Sequence, residues 1–220
     1  MYNMYNSYIS ILNSKYRLNI KSFTPVRNGF LLTTSKDKFL FRETTSNVSR
    51  IWFVHGVKLH LSNNGFNNHD YYLCTDTGEP YINIDGKYYI VSHFVEGRKC
   101  DFENANDVKR ASNLLARMHL ASVGYIQKDG SYETSELGNL PSIFSKRLKE
   151  LKHMEKIASR RKNDFDYIYL EYCNYFYEMG KEALEYILSP IYDKLVEEAK
   201  LLRNICHNDL TNNNIIMTEK

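Results

Sequence analysis

Near residue 100 the spacing of apolar residues changes, and that change limits what the chain can fold into. Before it the pattern is that of short strands. Phe30–Thr34 and Phe39–Glu43 are β-prone runs joined by the polar segment 35–38, which predicts a hairpin. Tyr81–Ile84 and Lys87–Val91 predict a second hairpin, because Asp85-Gly86 is a strong tight-turn signal. Tyr8–Leu18 reads as a leading helix, and Val48–Leu61 as another, stopped by Asn63-Asn64-Gly65. From Asn106 the period becomes helical, with Val108, Ala111, Leu114, Leu115 and Met118 on one face. Pro141 starts a second helix, running to about Arg161, and Pro190 opens a fourth. Between them Phe165, Ile168, Tyr169, Tyr172, Cys173, Phe176, Met179 and Leu184 form an aromatic stripe, read as a helix-packing face. Strands, then a connector over about Val91–Asp101, then helices describe an α+β chain of two lobes joined by a hinge. Residues 1–95 would form a small lobe of antiparallel sheet packed with the Val48–Leu61 helix, and residues 96–220 a partial helical lobe.

Composition narrows the function classes. A net charge of +3 spread over 220 residues argues against a nucleic-acid partner. The one basic cluster, Arg160-Arg161-Lys162, reads as a solvated helix end. No apolar run approaches a membrane span, and Met1–Asn6 has neither the basic leader nor the apolar core of a signal peptide. Cys74, Cys100, Cys173 and Cys206 stand far apart without a CxxC pair, which predicts free thiols in a reducing cytoplasm and no zinc site.

The candidate chemistry lies near the C-terminus, in His207-Asn208-Asp209 followed by Asn214 between apolar flanks Ile205-Cys206 and Ile215-Ile216-Met217. A plain turn with an N-capping Asp accounts for these residue types. A sharper reading takes the H-x-D-x-x-x-x-N spacing as the catalytic loop of protein-kinase-like phosphotransferases. There a carboxylate orients and deprotonates the attacking hydroxyl, and an amide oxygen nearby holds Mg²⁺. Asp209 and Asn214, five positions apart, could supply both.

Further segments carry the same resemblance. They are Lys38-Phe39-Leu40-Phe41-Arg42, the run from Gly86 to Arg98 that ends Glu96-Gly97-Arg98, and Leu114-Leu115-Ala116-Arg117-Met118-His119. Together with the 206–214 loop they resemble the aminoglycoside-phosphotransferase and choline-kinase branch of the kinase-like fold, and within it the spore-coat CotS type. The resemblance implies adenine against the hinge at His93, Phe94 and Val95, with ATP and Mg²⁺ as cofactors. It implies Asp209 as base, Asn214 as metal ligand and His207 as a brace for the loop. Partners would be spore-coat proteins or a small-molecule phosphoryl acceptor, and the location the cytoplasm or the assembled coat.

The departures point the other way. Where the family carries a phosphate-holding Lys, this chain has Arg42, or Phe41 after a one-residue slip. Strand alternation puts Arg42 on the face of Leu40 and favours it, though the forked guanidinium is no neutral replacement. The Val48–Leu61 helix has no acid to pair with it, offering His55, Lys58 and His60 instead. Arg27-Asn28-Gly29-Phe30 has a single glycine where a phosphate loop usually has several, so it reads equally as a plain turn. The second metal carboxylate of the family pattern is absent from these 220 residues. The expected function is therefore a spore-coat-associated kinase fold, inactive or weakly active as this chain. The alternative is an ATP-dependent phosphotransferase using Asp209. The catalytic-loop reading further predicts a buried His207, an Asp209 facing the cleft between the lobes, and exposed apolar surface around Ile215, Ile216 and Met217 and on the neighbouring helices.

Overall fold

Alternating side chains in the first hundred residues build a five-stranded antiparallel sheet. Its strands are β1 (Ser22–Val26), β2 (Gly29–Thr33), β3 (Lys38–Thr44), β4 (Ile82–Ile84) and β5 (Lys87–His93), in the order β1-β2-β3-β5-β4. The computed structural model describes residues 2–128, 131, 136–161 and 163–219; Met1 and Lys162 of the basic cluster lie outside the described residues. Both hairpins read from the sequence are present, and Asp85 and Gly86 turn the second with φ of 51° and 80°.

Phe39 and Phe41 of β3, Leu32 of β2, and Tyr89 and Val91 of β5 point to one face of the sheet. Helix α1 (Tyr2–Tyr16) covers that face with Leu12 and Tyr16, four residues apart on one stripe. Phe41 is fully buried and its ring stacks on Tyr89 with centroids 5.0 Å apart. Burying one such ring contributes about 2–3 kcal/mol, so this aromatic layer anchors the sheet. The opposite face of β3 carries Leu40 and Arg42, both half-buried. Gly29 sits where a Cβ would lie 2.3 Å from the Phe41 carbonyl oxygen, at φ +147°. Close approach of β3 therefore accounts for this glycine, as a plain turn would require.

Helix α2 (Val48–Asn63) follows β3, capped by the Asn47 side chain, which accepts from the Arg50 amide at 2.8 Å. Its Leu61 joins Phe66 in a cluster with Met118 and Ala121 of α3 (Ala105–Ser122). α1 covers the aromatic face, and Lys58 of α2 comes near Arg42 on the other face of β3. After β5 the chain makes a short strand β6 (Arg98–Lys99), which pairs antiparallel with β7 (Ile216–Met217) from the other end of the sequence.

By compactness the chain divides into one unit of Met1–Glu133 with Arg203–Lys220, and another of Thr134–Leu202. The second contains α4 (Leu140–Ala158), α5 (Asp164–Ile187) and α6 (Pro190–Leu202). A capping box between Asn163 and Asp166 starts α5. α5 packs on α4 through Cys173, which is buried, and Tyr169, whose hydroxyl donates to the Leu151 carbonyl at 3.1 Å. The rest of the aromatic stripe does not form the expected packing face: Phe165 is 67% exposed and Phe176 54%. Gly180, against Leu148, continues the α4 contact begun by Tyr169 and Cys173, while Phe165 and Phe176 face away from it. Among the described residues no helix is long and apolar enough to cross a membrane. Cys74, Cys100, Cys173 and Cys206 are free thiols, with Cys206 exposed.

Candidate functional site

The site lies in the first unit, and the H-x-D loop enters it just after α6. Asn208 holds a left-handed φ of 60°, a conformation that Asn tolerates better than most residues. This bend lets the His207 Nδ1 accept from the Asp209 amide at 3.3 Å. The Asp209 carbonyl then accepts from the Thr211 amide at 3.1 Å, and a short 3₁₀ turn over Asn212–Asn214 brings Asn214 back to Asp209. Asn214 Nδ2 donates to the Asp209 carboxylate at 2.7 Å and to its carbonyl at 2.8 Å.

The loop's surroundings correct two expectations. His207 is exposed, where burial was expected, because Arg203, Asn204, Cys206 and Asn208 around it are exposed as well. The apolar anchor is on the other side of the loop. Ile215 and Met217 are buried with Cys100 and Ala111, and Leu210 packs against them, so no apolar patch is exposed there. β6 and α3 supply the cover.

Facing this loop is a cleft of about 1050 Å³. Leu40 lines it from the sheet, His93, Phe94 and Val95 from the hinge, Asn214 and Met217 from below, and a face of α3 along one side. The hinge is held by backbone. The His93 amide donates to the Tyr71 carbonyl at 2.9 Å and the Phe94 amide to the Lys38 carbonyl at 3.0 Å. Among the described residues the Val95 amide has no partner. Gly97 follows at φ +155°, and a Cβ there would meet the Met217 carbonyl oxygen at 2.4 Å; β6 can pair with β7 only because that Cβ is missing. Arg98 then forks onto the buried Asp107 of α3, with Nη2 donating to Oδ1 at 2.8 Å. That hydrogen bond, joined by the Asp101 amide, holds the Asp107 carboxyl down to about 2. The Glu-Gly-Arg motif thus fastens hinge to helix, a role its sequence did not reveal.

A cluster of charges lies on the β3 face that carries Leu40. Asp70, in the loop after α2, accepts from Lys58 of α2, whose ammonium also stands 4.0 Å over the Tyr72 ring. The Arg42 guanidinium stands near enough to act electrostatically on Tyr72 and, with the fully buried Ser92, on Asp70. Burial alone would raise the Asp70 carboxyl, but the Lys58 ammonium and, after it, Arg42 hold it below the usual carboxylate range. Burial pushes Lys58 down, and Asp70 only partly restores it. The helix expected to lack a partner for Arg42 does lack an acid; the acid comes from the next loop. No periodic pattern marks residues 64–80, so sequence gave no sign of Asp70 or Tyr72.

Of the sequence-derived candidates, His93, Phe94, Val95 and Asn214 meet in the large cleft. His207 and Asn214 line a smaller cavity of about 300 Å³ together with Lys58 and Leu210. Arg42 and Asp209 line neither; Arg42 reaches the cleft only through Asp70, and Asp209 through its bond to Asn214.

Residues 9–220 match the family described as Spore coat putative kinase YutH. Spore coat protein S of Bacillus subtilis (strain 168) is 24% identical over 193 residues, covering 87% of this chain and 55% of that protein. The chain thus spans about half the length of that curated relative. An aminoglycoside phosphotransferase from Alicyclobacillus acidocaldarius superposes with a TM-score of 0.82 at 20% identity, over 94% of this chain and 61% of that one. AMP-bound spectinomycin phosphotransferase APH(9)-Ia gives a TM-score of 0.64 at 13% identity, over 98% of this chain and 66% of that one. These superpositions show the fold: an α+β kinase-like architecture with an antiparallel sheet before a helical region.

Proposed function

The chain belongs to the spore coat putative kinase YutH family, and on that footing we propose that it is a nucleotide-binding, kinase-fold component of the spore coat, inactive or weakly active as these 220 residues. The observation that carries this reading is the cleft itself, with hinge residues at one end and Asn214, tied to Asp209, at the other. Adenine would rest against Phe94 and Val95, and the unpartnered Val95 amide is the donor for its ring. Similar proteins have been solved with AMP, with ADP and with AMP-PNP and Ca²⁺, which supports a nucleotide here. Asp209 and Asn214 offer oxygen donors suited to Mg²⁺, a cation that usually completes its shell with phosphates and water. Bound there, Mg²⁺ would neutralise charge on the phosphates.

Weak turnover follows from the commitments of the cations. Lys58 is paired with Asp70, and Arg42, beside Tyr72 and Asp70, does not line the cleft, so neither is placed for a transferring phosphoryl group. Cytoplasmic synthesis followed by assembly with other coat proteins is part of the same proposal. Adenosine, ADP and Mg·ATP should each raise the melting temperature by mass action. In an ATPase assay the wild type and Asp209→Ala should both be silent.

A second reading is favoured by the 2.7 Å Asn214–Asp209 bond, which holds the carboxylate as a base needs to be held. Asp209 would take the proton of an acceptor hydroxyl while that oxygen attacks the γ-phosphorus and the bond to the β-phosphate oxygen breaks, releasing ADP. Mg²⁺-dependent ATP turnover that vanishes in Asp209→Ala would replace the first reading with this one.

A further inference from the structure

The side wall of the large cleft is a single stripe of α3. Asn106, Arg110, Asn113 and Arg117 recur at helical spacing, with Lys109 beside them, and all of them line the cavity and are exposed. Three of these five are cations. The one carboxylate in the lining, Asp70, is already paired with Lys58. The only acid on α3, Asp107, is buried, and its carboxylate is occupied by Arg98 and the Asp101 amide. Among the described residues Lys109, Arg110 and Arg117 form no salt bridge; Arg110 donates to the Thr218 carbonyl at 3.1 Å and acts at longer range on Asp107, whose carboxylate Arg98 already holds. A concave surface lined mostly by cations concentrates anions and repels cations.

We propose that the acceptor side of this cleft takes a small anionic molecule, one carrying a phosphate or carboxylate, and rejects the polyamine-like substrates suited to an acidic pocket. The proposal rests on the nucleotide-cleft reading and deepens it by naming the charge class of the second occupant. The long side chains of Lys109 and Arg117, a little over two turns or about 12 Å apart along the helix, can converge on a phosphate or carboxylate through charge-assisted hydrogen bonds. Asn113 lies between them and can position a neutral hydroxyl.

Nucleotide phosphates are the other source of negative charge, so the test separates the two. Isothermal titration of the chain saturated with Mg·AMP-PNP uses glycerol 3-phosphate, citrate and inorganic phosphate as anionic probes, and spermidine as the cationic one. At least one anion should bind the AMP-PNP complex, with affinity falling about tenfold in Lys109→Gln and again in Arg117→Gln. Spermidine should not bind. Both substitutions are on exposed positions, and an unchanged thermal melt confirms that the variants fold. Spermidine binding without anion binding overturns the proposal. So does a result in which no anion binds the AMP-PNP complex while the two substitutions weaken AMP-PNP itself, since the basic stripe would then serve the nucleotide. Adenosine, which has no phosphate, tests the hinge alone: its failure to bind removes the nucleotide reading, and anion binding lost in Arg117→Gln would still uphold the basic stripe.

Discussion

Two neighbouring parts of the first unit are built from different materials. The segment from His93 to Arg98 is held by backbone: hydrogen bonds from the His93 and Phe94 amides, a glycine pressed against the Met217 carbonyl, and one ion pair fastening β6 to α3. The charge cluster beside it is side chain: Arg42, Lys58, Asp70, Tyr72 and Ser92 come from two strands, a helix and a loop. Backbone geometry tolerates little change, because a displaced carbonyl has no other rotamer. A side-chain network can exchange one cation for another and keep its sum. The cluster here holds one ion pair, between Lys58 of α2 and Asp70 of the following loop, with Arg42 of β3 beside it.

That contrast can be broken by substitution. Gly97→Ala should do the most damage, since the added carbon strikes backbone and the residue must hold a positive φ. A loss of ~3 kcal/mol in urea denaturation is expected; an unchanged midpoint would mean the Gly97 segment is as adaptable as the charge cluster. Asp70→Ala should cost ~2 kcal/mol, because it leaves the mostly buried Lys58 without its partner. The double change with Lys58→Met should recover most of that loss, the mark of a replaceable pair. The Asp107 carboxyl gives a smaller effect with a definite pH signature. Its folded value of about 2 lies below the ordinary value of about 3.9, so its stabilisation is complete above about pH 4 and disappears as pH falls through 2. Urea midpoints taken from pH 5 to 2 should fall more gently in Asp107→Asn than in the wild type. Smallest of all is His207→Ala: an exposed ring with one 3.3 Å bond should move stability by less than ~0.5 kcal/mol.

What sequence made legible follows the same division. Both hairpins and all four later helices came from local patterns, as did the shared face of Leu40 and Arg42. Strand β1 was missed because Pro25 interrupts it; as the edge strand it can spare that amide. β6 and β7 are two residues each and too short for any periodicity. The burial errors have one origin. Apolar content around His207 and along α5 was taken as burial, but partners decide burial, and they lie far off in sequence. Ile215 is covered by Cys100 and Ala111, more than a hundred positions away, while Phe165 has no such cover. Asp70 was invisible for the same reason: its importance comes from Lys58 and Arg42 meeting it.

The β6–β7 pairing has a mechanical consequence. Arg98 lies opposite Met217 and Lys99 opposite Ile216, the Cys100 amide bonds the Ile215 carbonyl at 3.0 Å, and Lys99 reaches Asn213 at 2.7 Å. Segments more than a hundred positions apart in sequence thus share one short ladder, two residues from the Asn214 turn. Separating β6 from β7 would break the bonds of both at once, so the ladder closes the long stretch of chain between them into a single loop.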